Sequence, residues 1–183
     1  RISGVYGEAT LGYAEQLYLT LTARRDQAST FGDVGESIFY PSASLGYVFS
    51  DYLKEATGGL DWLSYGKLRA SWAKVGIEPG FGTNATYFTQ SQAGSGWING
   101  LDFPFLGQAG FTQSNTIGSS DLRPEFTTTT EFGFDLGFMD NRIGLEFTSY
   151  NQQSQDLLVA VPIAASSGYT NRWLNAGTME NKG

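Results

Sequence analysis

Apolar and polar residues alternate with a period of two along most of the chain, and helical periodicity is nearly absent. That is the pattern of half-buried strands, whose successive side chains point to opposite faces. In residues 2–13, Val5, Gly7, Ala9, Leu11 and Tyr13 share one face, and Tyr6, Glu8, Thr10 and Gly12 share the other. Leu17, Leu19, Leu21 and Ala23 then oppose Tyr18, Thr20, Thr22 and Arg24. Phe39, Pro41, Ala43, Leu45, Tyr47 and Phe49 oppose Tyr40, Ser42, Ser44, Gly46 and Ser50. Leu68, Ala70 and Trp72 oppose Lys67, Arg69, Ser71 and Ala73. The clearest run is 126–138, with Phe126, Phe132, Phe134, Leu136 and Phe138 against Thr127, Thr129, Glu131, Gly133, Asp135 and Gly137. Ile143, Leu145 and Phe147 oppose Gly144, Glu146, Thr148 and Tyr150. A last segment, about 172–183, predicts a seventh strand of ambiguous facing. Residues 51–64 are irregular and predict a short helix around Tyr52–Ala56, broken at Gly58-Gly59.

Most of these strands run ten to thirteen residues. Globular strands average about 5–6 residues, whereas crossing a bilayer with tilt needs about 9–11. Connections near 14–16 and 139–141 are short; those near 28–37, 77–124 and 154–170 are long. Short turns at one end and long loops at the other describe an antiparallel transmembrane β-barrel. The polar face is Thr, Ser, Gly and Tyr with scattered charge, not the dense Lys/Glu of a water-exposed surface. On the apolar face Tyr13, Phe39, Phe49, Phe126 and Phe138 lie at strand ends, where interfacial girdles sit. Leu19, Leu21, Leu45, Leu68, Phe132, Phe134 and Leu145 are therefore expected to face lipid. Arginine is expected to be tolerated better at Thr20, Ser44, Ser71 or Gly133.

Composition narrows function mainly by exclusion. The 183 residues contain no His and no Cys, which removes Ser-His-Asp and Cys-His catalysis, disulfides and Cys/His zinc sites. A net charge of −7 argues against nucleic acid as a partner. The longest apolar run, Leu157 to Ala165, contains Pro162 and is half the length a membrane helix needs. The chain opens on Arg1-Ile2-Ser3, neither an initiator methionine nor a signal peptide, and is expected to be a piece of a longer protein.

Five segments, in order, resemble one family. Tyr18-Leu-Thr-Leu-Thr-Ala-Arg-Arg-Asp26, Tyr40-Pro-Ser-Ala-Ser-Leu-Gly-Tyr-Val-Phe49 and Trp62-Leu-Ser-Tyr-Gly-Lys-Leu-Arg-Ala-Ser-Trp72 are similar to consecutive barrel strands of the SusC/RagA-like TonB-dependent transporters of Bacteroidetes. Leu122-Arg-Pro-Glu-Phe-Thr-Thr-Thr-Thr-Glu131 and Asn175-Ala-Gly-Thr-Met-Glu-Asn-Lys-Gly183 resemble two later ones. The resemblance implies about seven consecutive strands from the later half of a 22-stranded plugged barrel, all β; residues 77–124 depart from the family as a long insertion, and strand parity makes it an expected extracellular loop. The same resemblance implies a TonB-dependent outer-membrane importer of oligosaccharides or peptides, partnered by a SusD-like surface lipoprotein. The signal peptide, plug and TonB-contacting segment would precede residue 1. No cofactor and no metal are implied.

Candidate contacts follow. The insertion carries Phe81, Tyr87, Phe88, Trp97, Phe103, Phe105 and Phe111 among Gly, Ser, Asn and Gln. Aromatic faces beside amides and acids are what sugar binding uses. Tyr87, Trp97, Asp102 and Phe103 are the candidates for touching ligand or lid; packing among themselves is the plainer role for any one of them. Asp102 and Asp121 lack the spacing of a calcium loop. Glu131 and Asp135 lie about 13 Å apart along one strand by its rise, too far for paired-carboxylate hydrolysis. They are expected to pair with arginines such as Arg69 or Arg142. Lys67 and Arg69 face the same side. Arg25, on the apolar face near the long-loop end, either meets lipopolysaccharide phosphates or snorkels. A soluble β-sandwich carbohydrate-binding module and a passive porin are the competing readings.

Overall fold

The computed structural model describes residues 2–28, 37–57, 62–80, 83–90, 92–95 and 98–183. Its strands are β1 (Ile2–Tyr13), β2 (Leu17–Ala28), β3 (Ser37–Val48), β4 (Leu63–Ile77), β5 (Phe88–Gln90), β6 (Gln92–Ser95), β7 (Ile98–Asp102), β8 (Phe111–Gln113), β9 (Thr116–Ile117), β10 (Glu125–Phe138), β11 (Ile143–Pro162) and β12 (Asn171–Lys182). Helix α1 (Phe49–Thr57) follows β3. The long strands form one sheet in the order β1-β2-β3-β4-β10-β11-β12, with the two-residue β9 added beyond β12. All pairs between long strands are antiparallel; only β9 runs parallel to its neighbour. Consecutive strands pairing as neighbours is the up-and-down arrangement of a barrel wall.

The registers put like with like. One row reads Tyr13–Leu17–Tyr47–Leu68–Phe134–Phe147 across six strands. A polar row on the other face reads Gly46–Arg69–Gly133–Thr148. Hairpins at the short-turn end are tight. Ala14 and Glu15 at φ 52° and 57° lie between Tyr13 O and Gln16 N, 3.1 Å apart. Asp140 and Asn141 at φ 56° and 61° do the same between Met139 and Arg142. Two central residues at positive φ match the right-handed twist of the flanking strands, and Asp-Asn tolerates that conformation.

No second layer covers the apolar face among the described residues. Leu21, Leu45, Leu68, Phe132 and Leu145 are each at least 37% exposed, and among the described residues the large apolar side chains that are buried are Ile38 and Leu63. A sandwich buries this face against a second sheet; here it lies open. No helix among the described residues is long and apolar enough to cross a membrane, which leaves strand crossing untouched.

The structure corrects two boundaries. Residues 154–170 are not one long loop: β11 continues to Pro162, and only 163–170 connect it to β12. The stretch Gln152-Gln153-Ser154-Gln155 lacks alternation because this part of the strand is polar on both faces. Its ladder is held by β10 and β12, not by an apolar face. Phe49 does not end a strand but opens α1, and its ring lies where a Cβ on Gly66 would sit, over the apolar face of β4. At the same short-turn end the Trp62 and Phe138 rings stack on each other, 5.9 Å between centroids.

Among the described residues both ends of the sheet are open: β1 pairs with β2 alone, and the edge of β12 carries the two-residue β9 alone. Seven long strands fall short of the eight in the smallest bacterial barrels, and open edges template aggregation. Residues 1–183 alone in detergent are expected to give no heat-modifiable, protease-resistant monomer. Such a monomer on a semi-native gel would contradict the account.

Candidate functional site

The polar face is organised around one arginine. Arg69 is flanked in its row by Gly46 and Gly133, so no neighbouring side chain stands in its way. Its Nη2 donates to Asp135 Oδ1 at 2.9 Å, Glu146 Oε1 at 2.8 Å and Thr148 Oγ1 at 3.3 Å. Asp135 and Glu146 are register partners on adjacent strands, and like charges directly opposite are destabilising. Arg69 offsets that repulsion. Ser71 Oγ donates to Glu131 Oε2 at 3.4 Å one step further along. Arg69, Ser71, Glu131 and Thr148, with Tyr18, Thr20 and Lys67, line a shallow hollow of about 320 Å³. The expected arginine partner of Asp135 is thus Arg69, and the network extends to Glu146, which spacing within one strand does not show.

This arrangement makes a measurable claim. Arg69→Met is expected to destabilise the assembled barrel by about 1–2 kcal/mol, a value reduced from buried-pair costs because Arg69 is 37% exposed. Arg69→Met with Glu146→Gln is expected to recover part of the loss, because the opposed carboxylates are gone. Heat-modifiability midpoints of the full-length protein read both effects. One site departs from expectation: a Cβ on Gly133 would lie 2.7 Å from Phe147 O, so arginine there is expected to cost more than at Ser44.

The long-loop end holds the insertion between β4 and β10. β5 pairs with β8 and β6 with β7, making two small ribbons. Their foot is closed by Ser119 N to Thr83 O at 3.0 Å and Gly118 N to Thr86 Oγ1 at 3.2 Å. The insertion is also laid onto the β11–β12 hairpin. Thr170 N donates to Asn115 O at 2.8 Å, Gln113 Nε2 donates to the Tyr169 hydroxyl, and β9 pairs with the start of β12. Two of the sequence segments singled out above meet here. Asn175 Nδ2 donates to Arg123 O at 2.9 Å and to Asp156 O at 2.7 Å, while its Oδ1 accepts from Arg123 N at 2.8 Å. Glu125 Oε1 accepts from Leu158 N at 2.6 Å. Both side chains clamp the irregularity in β11 between Ser154 and Leu158.

The predicted contact residues are spread over both ribbons. Tyr87 precedes β5 and is 40% exposed. Asp102 ends β7, where its backbone pairs with Gln92. Phe103 is half-buried, with its ring against Gly110. Trp97 lies outside the described residues. Among the described residues of the insertion, Phe88 and Phe111 carry the most exposed rings, at 65% and 68%. Arg25 does lie on the apolar face, its Nε donating to Ser37 Oγ at 2.8 Å.

The profile of the family described as TonB dependent receptor-like, beta-barrel matches residues 1–183. The chain belongs to the TonB-dependent receptor β-barrel family. It is 26% identical over 181 residues to the TonB-dependent receptor SusC of Bacteroides thetaiotaomicron, covering 97% of this chain and 17% of that protein. It is 28% identical over 185 residues to TonB-dependent receptor P3 of Formosa agariphila, covering 98% and 17% respectively. In fold it is similar to a chain of the RagAB peptide importer in its closed-closed state, with a TM-score of 0.80 and 24% identity over 99% of this chain and 18% of that one. The siderophore receptor PirA of Pseudomonas aeruginosa superposes less closely, with a TM-score of 0.61 at 17% identity. The sheet is therefore part of a TonB-dependent receptor barrel, and it spans about a sixth of the curated relatives' length.

Proposed function

We propose that this chain forms part of the wall of a TonB-dependent importer in the bacterial outer membrane, working with a SusD-like surface lipoprotein. The observation that carries the proposal is the two-faced single sheet: an open apolar face, for lipid, backing a polar face organised by Arg69, for the lumen. Leu19, Leu21, Leu45, Leu68, Phe132, Phe134 and Leu145 share the apolar face by register. The family match across all 183 residues and the similarity to SusC support the importer reading over a passive porin. No reaction is catalysed; energy arrives through TonB, which would contact a part of the protein outside this chain. The cargo is an oligosaccharide or a peptide.

Strand parity puts the connections 29–36, 78–124 and 163–170 at one end of the sheet and the turns 14–16 and 139–142 at the other. Long loops face outside in such barrels. The insertion is then extracellular, and Tyr87, Trp97, Asp102 and Phe103 are its proposed contacts to ligand or lid. A cysteine at Gly100 is expected to react with an impermeant thiol reagent on whole cells and one at Asn141 to be protected. The reverse pattern would invert the orientation. Uptake of labelled oligosaccharides and peptides by cells with the full-length protein is the functional test. Uptake that survives loss of TonB would make it a porin. Trp97→Ala with Phe103→Ala is expected to weaken uptake or lid association while assembly stays normal; unchanged uptake and lid binding would leave these rings a packing role only.

A further inference from the structure

Toward the long-loop end, the polar face of β1–β3 carries the row Tyr6–Arg24–Tyr40. Direct register partners lie on the same side of a sheet, so a guanidinium stands between two phenol rings. Tyr6 and Arg24 are exposed and Tyr40 is half-buried. Arg24 is the only cation on this face of β1–β3 among the described residues. It lies six residues above Tyr18 on β2 (24 − 18), and Tyr18 shares its row with Gly46 and Arg69. The strand rise puts Arg24 roughly 20 Å along the strand from the Arg69 network, on the long-loop side.

Arg24 is held on one side only. Its Nε donates to both carboxylate oxygens of Asp26, at 2.8 and 2.9 Å. That carboxylate is itself fixed: Asp26 is buried, and a Cβ on its register partner Gly4 would overlap it. A guanidinium has five N–H donors. The four on Nη1 and Nη2 have no partner among the described residues. Ordering a long arginine side chain costs conformational entropy, and the bond to Asp26 has met part of that cost before any ligand arrives. Arg69 shows what a guanidinium on this face can hold: two carboxylates, Asp135 at 2.9 Å and Glu146 at 2.8 Å. Arg24 holds one. Its planar Nη1–Nη2 edge fits a second bidentately.

We infer that Arg24 binds a carboxylate of the cargo at the mouth of the lumen, with Tyr6 and Tyr40 packing against the body that carries it. The inference rests on the proposed importer and its orientation. Cargo is the occupant because the row lies on the wall below the loops. β2 continues four residues past Arg24 to Ala28 (28 − 24), and β3 begins three residues before Tyr40 (40 − 37). A lid resting on the loops stands above it. Aromatic faces take a sugar ring or the apolar side chain beside a peptide terminus equally well. The shared chemistry is therefore the carboxylate, whether of a uronic acid or of a peptide. Glu8, opposite Thr22 in the next row on the same face, adds negative charge to the surroundings. Long-range attraction of an anion is thus weak here, and selectivity comes from the fork geometry of Arg24 itself.

The test uses the full-length receptor, purified in detergent without the lid and titrated calorimetrically with two probe pairs. One pair is a short peptide as its C-terminal acid and as its amide; the other is trigalacturonate and its methyl ester. The parent is expected to bind the acid form of at least one pair about tenfold or more tighter than the neutral form, the scale of a charge-assisted hydrogen bond. Preference in the peptide pair alone marks a peptide cargo, and in the sugar pair alone a uronate-bearing one. Arg24→Gln is expected to bring the two forms within about twofold of each other. Arg24→Lys keeps a cation beside Asp26, and with it assembly, but lacks the planar edge; its acid preference is expected to fall at least about threefold. If Arg24→Gln does not assemble, Arg24→Lys decides alone. No acid preference by the parent in either pair would overturn the inference. So would a preference unchanged in Arg24→Lys, or weakened lid association in Arg24→Gln with acid preference intact. Uptake that survives loss of TonB, or inverted labelling at Gly100 and Asn141, would instead strike the reading beneath it, because binding is read on the purified receptor.

Discussion

Arginine at Leu45 or Phe132 is expected to destabilise the assembled full-length barrel by about 2–4 kcal/mol, the cost of placing that charge on the lipid face near mid-membrane. Leu45 lies between Leu19 and Ala70 in one row, and Phe132 continues that row beyond Ala70. Both are well exposed, at 44% and 53%, so a larger side chain meets no protein wall. The cost therefore reports the solvent on that face rather than packing. Arginine at Ser44 is the matched control. Ser44 is one residue from Leu45, pairs with Thr20 and Ser71, and lines the polar hollow beside Arg69. Its substitution is expected to cost less than half as much. Folding titrations into liposomes, or the heat-modifiability midpoint, read the difference. Equal costs at Leu45 and Ser44 would mean that the two faces see the same medium.

Valine at Gly118 is expected to detach the foot of the insertion without affecting the sheet. A Cβ there would overlap the backbone of Ala85, which cannot rotate aside as a side chain can. The overlap is relieved only by breaking Ser119 N to Thr83 O and Gly118 N to Thr86 Oγ1, the bonds that close the foot. Overpacking of this kind costs about 1–3 kcal/mol, which a local opening can absorb. Protease cleavage within 78–124 on whole cells is expected to rise about tenfold or more, while heat-modifiability of the barrel stays at the parent value. An unchanged cleavage rate would show that the foot is not what holds the insertion.

Which of these features could be read from the chain depends on what each residue answers to. β1–β4, β10 and the first half of β11 were legible because a membrane wall separates two media at every residue, and the sequence must alternate. Residues 152–155 were not, because that part of β11 is polar on both faces and its pairing is imposed by β10 and β12. The partner of Asp135 was legible as an arginine but not its link to Glu146, since cross-strand neighbours depend on register, and register is set by the Asp140-Asn141 turn. Gly133 read as a tolerant polar-face position; only the approach of Phe147 O shows otherwise. The clamp by Asn175 and Glu125 lay inside segments already singled out by resemblance, yet nothing in their spacing says that they meet.

The central claim is that one sheet separates lipid from an aqueous lumen, and spin labels on the two faces test it most directly. This chain has no cysteine, so single labels at Leu45 and Ser44 can be introduced into it one at a time in the full-length receptor in bilayers. The account predicts that the Leu45 label collides with oxygen and is shielded from a water-soluble nickel complex, while the Ser44 label shows the opposite preference. Nickel reaching Leu45 as readily as Ser44 would contradict it.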